Sequence, residues 1–302
     1  MPEEKHITSL EINRLRGRML RLPAPRRKKR EILLVYGHHA SLERMFGIAA
    51  NLNKHGSLTI PDLPGFGGME SFYKIGLKPT IDNYADYLAT VIKLRYKQKR
   101  ISIVAMSFSF LIVTRMLQKY PEIAKKTDLL VSSVGFVHHE DFSLPKWQQL
   151  GIRAIGRVFQ FRLPAFIMRY TLLSGPFIKG FYNFIGASHS KMQDAGSKDV
   201  KKKRINAEIK LWHINDLRTR MKTLADMFKI DLCNAKVDLP VHHVYVDGDR
   251  FLDNKVVEQH MRIIYNDFIG LETDIKGHMP SIVATAEEAE PFVPKKLKRL
   301  LR

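Results

Sequence analysis

Residues 101–109 read Ile101-Ser102-Ile103-Val104-Ala105-Met106-Ser107-Phe108-Ser109, an apolar, β-prone run that turns at once into an apolar helix reaching about Tyr120. A nucleophile on such a strand–turn–helix corner is pushed out of a sheet with its oxygen exposed. The residues two positions either side must be small, because strand and helix pass close there. Ala105 and Ser109 meet that requirement. A serine that opens a helix is also an ordinary N-cap, so the corner has to be weighed with the rest of the chain.

Working outward, strand and helix patterns alternate from Glu31. Ile32 to Tyr36 is a short apolar strand that stops at Gly37, a helical pattern runs from about Leu42 to Leu52, and Leu58-Thr59-Ile60 is the next strand. Thr80 to Lys97 reads as a helix, with Ile81, Tyr84, Leu88, Val91 and Ile92 at three- and four-residue steps. Leu129 to Val134 is a further strand. Continuous apolar strands separated by helices predict an α/β protein with a mostly parallel sheet covered on both faces. The alternation breaks at about His138. It resumes with a strand at Val241 to Val246, a helix from Asp253 to Tyr265, a strand near Ile269 to Ile275 and a last helix. The reading is a core domain of residues 1–137 and 240–302 carrying a helical insertion of residues 138–239, with an early strand or hairpin within residues 1–30.

Composition narrows the classes. The 302 residues are 45% hydrophobic and 26% charged, which excludes wholesale disorder and allows one sizeable core. The single cysteine, Cys233, excludes a disulfide scaffold, and no apolar run reaches the roughly 18–20 residues of a membrane-spanning helix. The N-terminal segment has no apolar stretch behind its charges, so a signal peptide is not expected and a reduced, cytoplasmic setting is the default. Fifty basic against thirty acidic residues give a formal charge of +20, and the two ends supply 12 of that excess. A third basic cluster is Lys201-Lys202-Lys203-Arg204. Such patches attract the phosphates of nucleic acid or anionic lipid, although a solvated basic surface produces the same count.

Two further segments give the Ser107 corner its chemistry. The strand ending at Val246 runs into Asp247-Gly248-Asp249-Arg250-Phe251-Leu252-Asp253, and Lys276-Gly277-His278-Met279-Pro280 follows the last strand. In an open parallel sheet the loops at the carboxyl ends of the strands form the site. A serine hydroxyl needs a base to take its proton, and the base needs an acid to hold its tautomer. The order Ser107, Asp249, His278 supplies nucleophile, acid and base.

On these residues the chain resembles the α/β-hydrolase fold superfamily over roughly residues 10–300. Asp62-Leu63-Pro64-Gly65-Phe66-Gly67 is similar to the turn that many lid-bearing members carry after their fourth strand, and Leu33 to His38 to the strand and turn that build half of the oxyanion hole. The resemblance implies that Ser107, Asp249 and His278 are catalytic and that the backbone N–H groups of His38 and Phe108 bind the oxyanion. It implies that the insertion is a cap lining the substrate pocket. The usual Gly-x-Ser-x-Gly is Ala105-Met106-Ser107-Phe108-Ser109 here, and Tyr36 replaces the histidine of the His-Gly turn. Serine at 107 argues against the branches with a carboxylate nucleophile. Asp247 and Asp253 rival Asp249 as the acid, and Glu140 and Asp141 occupy the place some relatives use after the sixth strand.

Other features read as structural. The doublets His38-His39, His138-His139 and His242-His243 lack the helical i, i+4 or Cys/His spacing of metal sites, so no metal is assigned, and no glycine-rich phosphate loop implies a cofactor. His38 and His138 border the expected pocket. Cys233 reads as a small core residue and the aromatic stripe in the insertion as its core, over an apolar pocket. The reading is a serine hydrolase acting on a carboxylic ester or lactone of a fairly apolar small molecule through an acyl-enzyme. The alternative is an inactive or weak hydrolase scaffold that binds nucleic acid or anionic membrane through its basic ends and cap. A hydrolase that makes peripheral contact with anionic membrane combines the two; nucleic acid is the less favoured partner.

Overall fold

The computed structural model describes residues 2–185, 198–273 and 285–302. The early segment forms a hairpin of β1 (Ile7–Ile12) and β2 (Leu15–Leu22). Asn13 and Arg14 both take positive φ, 51° and 64°, the two-residue turn whose twist matches that of paired strands. The alternating units follow as β3 (Arg30–Val35), α1 (Leu42–Asn53), β4 (Gly56–Pro61), α2 (Ile81–Tyr96), β5 (Ile101–Met106), α3 (Phe108–Lys119), α4 (Pro121–Lys126) and β6 (Thr127–Ser133). The helix expected to reach Tyr120 therefore ends one residue earlier, and Pro121 starts a second short helix. Proline suits a first helical turn, where its missing N–H costs nothing.

One eight-stranded sheet results, in the order β1-β2-β4-β3-β5-β6-β7-β8, with β7 (Val237–Val246) and β8 (Tyr265–Thr273) completing it. β2 is antiparallel to both neighbours, and every pair from β4 to β8 is parallel. Every residue of β5 is buried. Successive side chains of a strand point to opposite faces, so the centre of the sheet is covered on both. Apolar strands and helices share one core from Ile12 to Leu301.

Two strands start earlier than their apolar runs suggest. β7 begins at Val237, earlier than Val241, and accommodates Pro240, which cannot donate to a ladder, at a register shift between Val237 and Pro240. β8 starts directly after α10 (Asn254–Ile264) and includes Asn266 and Asp267, polar residues that an edge strand tolerates. Asp253 caps α10 by accepting from the N–H groups of Lys255 and Val256. α11 (Ala286–Ala289) packs on α1, and α12 (Lys295–Leu300) closes the chain.

Between β6 and β7 lie α5 (Lys146–Phe159), α6 (Arg162–Tyr170), α7 (Gly175–Ile185), α8 (Lys198–Ile214) and α9 (Leu217–Met227). They have a small apolar cluster of their own, including Ala165, Leu173, Ile178, Tyr182 and Met221. Among the described residues no helix is long and apolar enough to cross a membrane.

Candidate active site

Three neighbouring strands end in strained backbone on the same edge of the sheet. His39 after β3, Ser107 after β5 and Val134 after β6 have φ of 54°, 51° and 45°. Positive φ is uncommon outside glycine and a clear outlier for a β-branched residue such as Val134. Such strain persists only where the surroundings over-determine it, and it concentrates at functional sites. Here the surroundings are hydrogen bonds: Ser107 N–H donates to the Ser133 carbonyl at 2.9 Å, and Val134 N–H to the Val244 carbonyl at 2.8 Å.

Ser107 itself sits at φ 51°, ψ −122°, the first central position of a type II′ turn, which glycine ordinarily fills. A plain N-cap is extended and bonds the helix it precedes. Ser107 does neither, because its side chain makes no capping bond to α3. The Phe108 N–H opens α3, where helical N–H groups have no intrahelical acceptor. Gly37, on the neighbouring β3 loop, is pressed against the corner. A methyl group there would lie 3.1 Å from the Met106 carbonyl oxygen and 3.3 Å from Ser107 Cβ. The loop carrying His38 and the Ser107 corner are thus in contact, with the His38 and Phe108 rings 5.3 Å apart.

Ser109, where a glycine is usual, has an active structural part. Its buried hydroxyl accepts from Met106 N–H at 2.9 Å and donates to the Val35 carbonyl at 2.7 Å, with the Met106 carbonyl a second acceptor at 3.0 Å. It sews the corner to the end of β3. Tyr36 likewise has a defined task. Its hydroxyl donates to Asp62 Oδ1 at 2.8 Å and accepts from Leu63 N–H at 3.0 Å, while Arg18 Nε donates to Asp62 Oδ2 at 3.1 Å. Burial pushes the Asp62 carboxyl up to about 7, against the pull of Arg18 and Tyr36. Gly67 has φ 63° and no room for a side chain, since a Cβ would stand 2.0 Å from Asp62 Oδ1.

The same turn fastens the insertion to the sheet. Gly67 N–H donates to Asn215 Oδ1 at 2.8 Å, Asp216 N–H to the Gly65 carbonyl at 2.8 Å, and Ser71 and Thr219 share a 2.7 Å hydroxyl bond. His38 Nε2 lies 2.8 Å from Thr223 Oγ1 on α9, and burial, with Arg220 and His39 adding, holds this imidazole well below its usual range. His39 approaches Glu208 of α8 at 3.4 Å. Asn215, Thr219 and Thr223 were not legible as site-bordering residues, because polar residues in a helical insertion carry no sequence signal for what they face.

The candidate acids differ in their surroundings. Asp253 is engaged at the N-cap of α10. Asp141 is fully buried and accepts from the N–H groups of Val137 and His138 while bonding His260 Nδ1 at 2.6 Å. Glu140 and Asp247 are exposed. Asp249 is half-buried in the loop after β7 and accepts from Phe251 N–H at 2.8 Å. His278 lies outside the described residues.

The remaining doublets are sorted by burial. His243 is buried, with Nδ1 2.9 Å from Ser132 Oγ, and burial pushes it down to about 3, outweighing the nearby Asp249. His138 lies between His139 and His260 with ring centroids 4.2 Å from each, and His138, Glu140 and His260 bring donor atoms within 4.8 Å of one another. Sequence spacing could not register that cluster, because His260 comes from α10. Cys233 is half-buried, and burial beside Asp231 and Asp141 pushes its thiol up to about 12, far from a nucleophile at neutral pH. An open cavity of about 740 Å³ lies between α6, the α8–α9 junction and residues 69–71, lined by Leu163, Phe166, Arg169 and Asn215 among others but not by Ser107.

No protein-family model matches the sequence, and no curated protein is significantly similar to it. Solved structures do match. A putative lipase from Acinetobacter baumannii AYE superposes with a TM-score of 0.64 at 18% identity, covering 97% of this chain and 91% of that one. The enol-lactonase from Burkholderia xenovorans LB400 gives 0.63 at 12% identity over 97% and 99%. A mutant of the N-acyl homoserine lactonase AidH, complexed with N-hexanoyl homoserine, gives 0.63 at 15% identity over 98% and 96%. With that likeness, the strand order and the serine corner after β5, the chain has the α/β-hydrolase fold.

Proposed function

We propose that the protein is a serine hydrolase that cleaves a carboxylic ester or lactone of a fairly apolar small molecule. The observation that carries this reading is Ser107, a serine held at φ 51° on the strand–helix corner with the His38 loop packed against it. An inactive scaffold would gain stability by relaxing that backbone, and strain of this kind costs about 1–3 kcal/mol. The similar structures whose names describe a lipase and lactonases support the same bond class.

In this mechanism Ser107 Oγ attacks the carbonyl carbon while His278 takes the hydroxyl proton, with Asp249 orienting His278 through its other ring nitrogen. The carbonyl oxygen becomes an oxyanion that accepts hydrogen bonds from the backbone N–H groups of His38 and Phe108. Each such donor is typically worth about 3 kcal/mol of transition-state stabilisation. Collapse expels the alcohol, protonated by His278, and leaves Ser107 acylated. Water, losing its proton to His278, then attacks the acyl group and frees the acid. A lactone follows the same course, its alcohol and acid remaining on one molecule. The insertion of residues 138–239 acts as the cap, held over the carboxyl ends of β3 and β4 by the bonds to His38, Gly65 and Gly67.

Hydrolysis of a chromogenic ester series from acetate to palmitate, by wild type and Ser107→Ala in parallel, tests this. Turnover that disappears in the variant is the expected result, and the best acyl length gauges the pocket. Turnover that survives in Ser107→Ala overturns the assignment.

A further inference from the structure

The helices α5 and α6 bury their small residues and expose their large ones, and α7 buries Ile178 and Tyr182 but exposes Phe177, Phe181 and Phe184. The buried positions of α5 and α6 are Gly156 and Ala165 alone, and a Cβ on Gly156 would stand 2.7 Å from the Met221 carbonyl oxygen of α9. Outward stand Trp147 at 71% exposure, Leu163 at 68%, Tyr170 at 66%, Phe161 at 62%, and Leu150 and Phe166 at 60%. Of the eighteen large apolar residues exposed among the described residues, thirteen lie between Trp147 and Phe184. Scattered exposed apolar side chains are normal, but a concentration in one segment marks a partner.

Charge identifies that partner. From Phe142 to Gln193 the sequence has no aspartate or glutamate. Lys146, Arg157, Arg162 and Lys179 are exposed among the apolar residues. A helix with large apolar residues, cationic flanks and no acids matches the headgroup–acyl boundary of an anionic bilayer, where rings and aliphatic chains insert and cations meet phosphate. A second copy of the chain would set these cations against each other. Nucleic acid would leave the apolar residues in water. Leu163 and Phe166 also line the 740 Å³ cavity, so the face continues into the seam between insertion and sheet.

We propose that α5–α7 form a docking surface for an anionic lipid bilayer, on which the protein rests peripherally. Docking is independent of the catalytic reading, because it uses no residue of the Ser107 corner.

The test is flotation of the whole protein with phosphatidylcholine vesicles with and without phosphatidylglycerol, together with Trp fluorescence. Trp147 is the exposed reporter, since Trp212 lies under Arg220, whose guanidinium is 3.8 Å from its ring centre, and against His39. The expected result is binding to anionic vesicles, at least tenfold weaker binding to neutral ones, and a blue shift lost in Trp147→Phe. Leu163→Ser and Phe166→Ser, both at exposed positions that leave the fold intact, each weaken binding about tenfold. Arg157→Gln weakens it about fivefold on anionic vesicles only. Ser107→Ala binds as wild type does. Absence of binding to anionic vesicles overturns the proposal. So does binding that is unchanged by Leu163→Ser and Phe166→Ser, which would place the contact in the basic ends. A concentration-dependent dimer that shields Trp147 without lipid, or RNA binding weakened by the same apolar substitutions, also overturns it.

Discussion

Replacing Ser109 by alanine removes one oxygen from the interior, and its consequence can be worked out atom by atom. Ser109 Oγ is fully buried and holds the Met106 N–H at 2.9 Å and the Val35 carbonyl at 2.7 Å. Alanine leaves both groups in place with no water to replace the hydroxyl. A buried donor or acceptor that loses its partner costs about 1–3 kcal/mol, the N–H nearer the upper end because a carbonyl with a second lone pair is more tolerant. The expected loss is about 2–4 kcal/mol, a large share of the roughly 5–15 kcal/mol that holds a domain folded. With a urea slope of about 3 kcal/mol per molar for a chain of this size, the unfolding midpoint drops by about 1 M. The readout is a urea titration followed by circular dichroism, with the slope unchanged. Activity should fall with it, because Val35 leads directly into Gly37 and His38, whose loop packs on Ser107. Ser109→Gly should be no better than alanine, since glycine restores neither bond and loosens the start of α3. A midpoint shift below about 0.3 M, or full activity in Ser109→Ala, would refute the idea that this hydroxyl fixes the corner.

Three further outcomes follow from the same geometry. Ser107→Gly should abolish ester hydrolysis yet raise stability by about 1 kcal/mol, since glycine adopts φ 51° freely; a less stable variant in urea titration would contradict the strain argument. Gly37→Ala should lower kcat/KM by at least about tenfold, because its methyl group must displace Met106 or Ser107 from 3.1–3.3 Å contacts; unchanged hydrolysis would show that the His38 loop does not need its position. Glu43 is held at about 2: burial pushes it up, but the Arg18 guanidinium, Glu43's own backbone N–H and the Ser41 hydroxyl more than offset this. Its folded value lies below its ordinary 4.5, so its stabilisation is present above pH 4.5 and is lost as pH falls toward 2. The stability gap between wild type and Glu43→Gln, about 2 kcal/mol at pH 6, should therefore shrink to nearly nothing at pH 2. A gap independent of pH would contradict the ion pair.

The strands and helices of the sheet were legible because burial on both faces leaves long uninterrupted apolar runs such as Ile101 to Ala105. The hairpin within residues 1–30 and the helical character of the insertion showed in the same local periodicities. The Ser107 corner, the chain order and the family resemblance put Ser107, Asp249 and His278 forward as candidates, since carboxyl ends of parallel strands share an edge. Local pattern determined which element each residue occupies. Tertiary structure decided what each polar residue faces. Ser109 and Tyr36 looked like departures from a motif and became, in the folded chain, the bonds to Val35 and Asp62. Asp253 caps α10 and Asp141 lies against His260, engagements that chain order does not reveal. The aromatic stripe read as the core of the insertion turned outward in large part, with Gly156 and Ala165 at the buried positions of α5 and α6 and Tyr182 the aromatic that stayed inside. Periodicity reports that a helix has an apolar side, but only its neighbours decide whether that side meets protein or lies open to a bilayer.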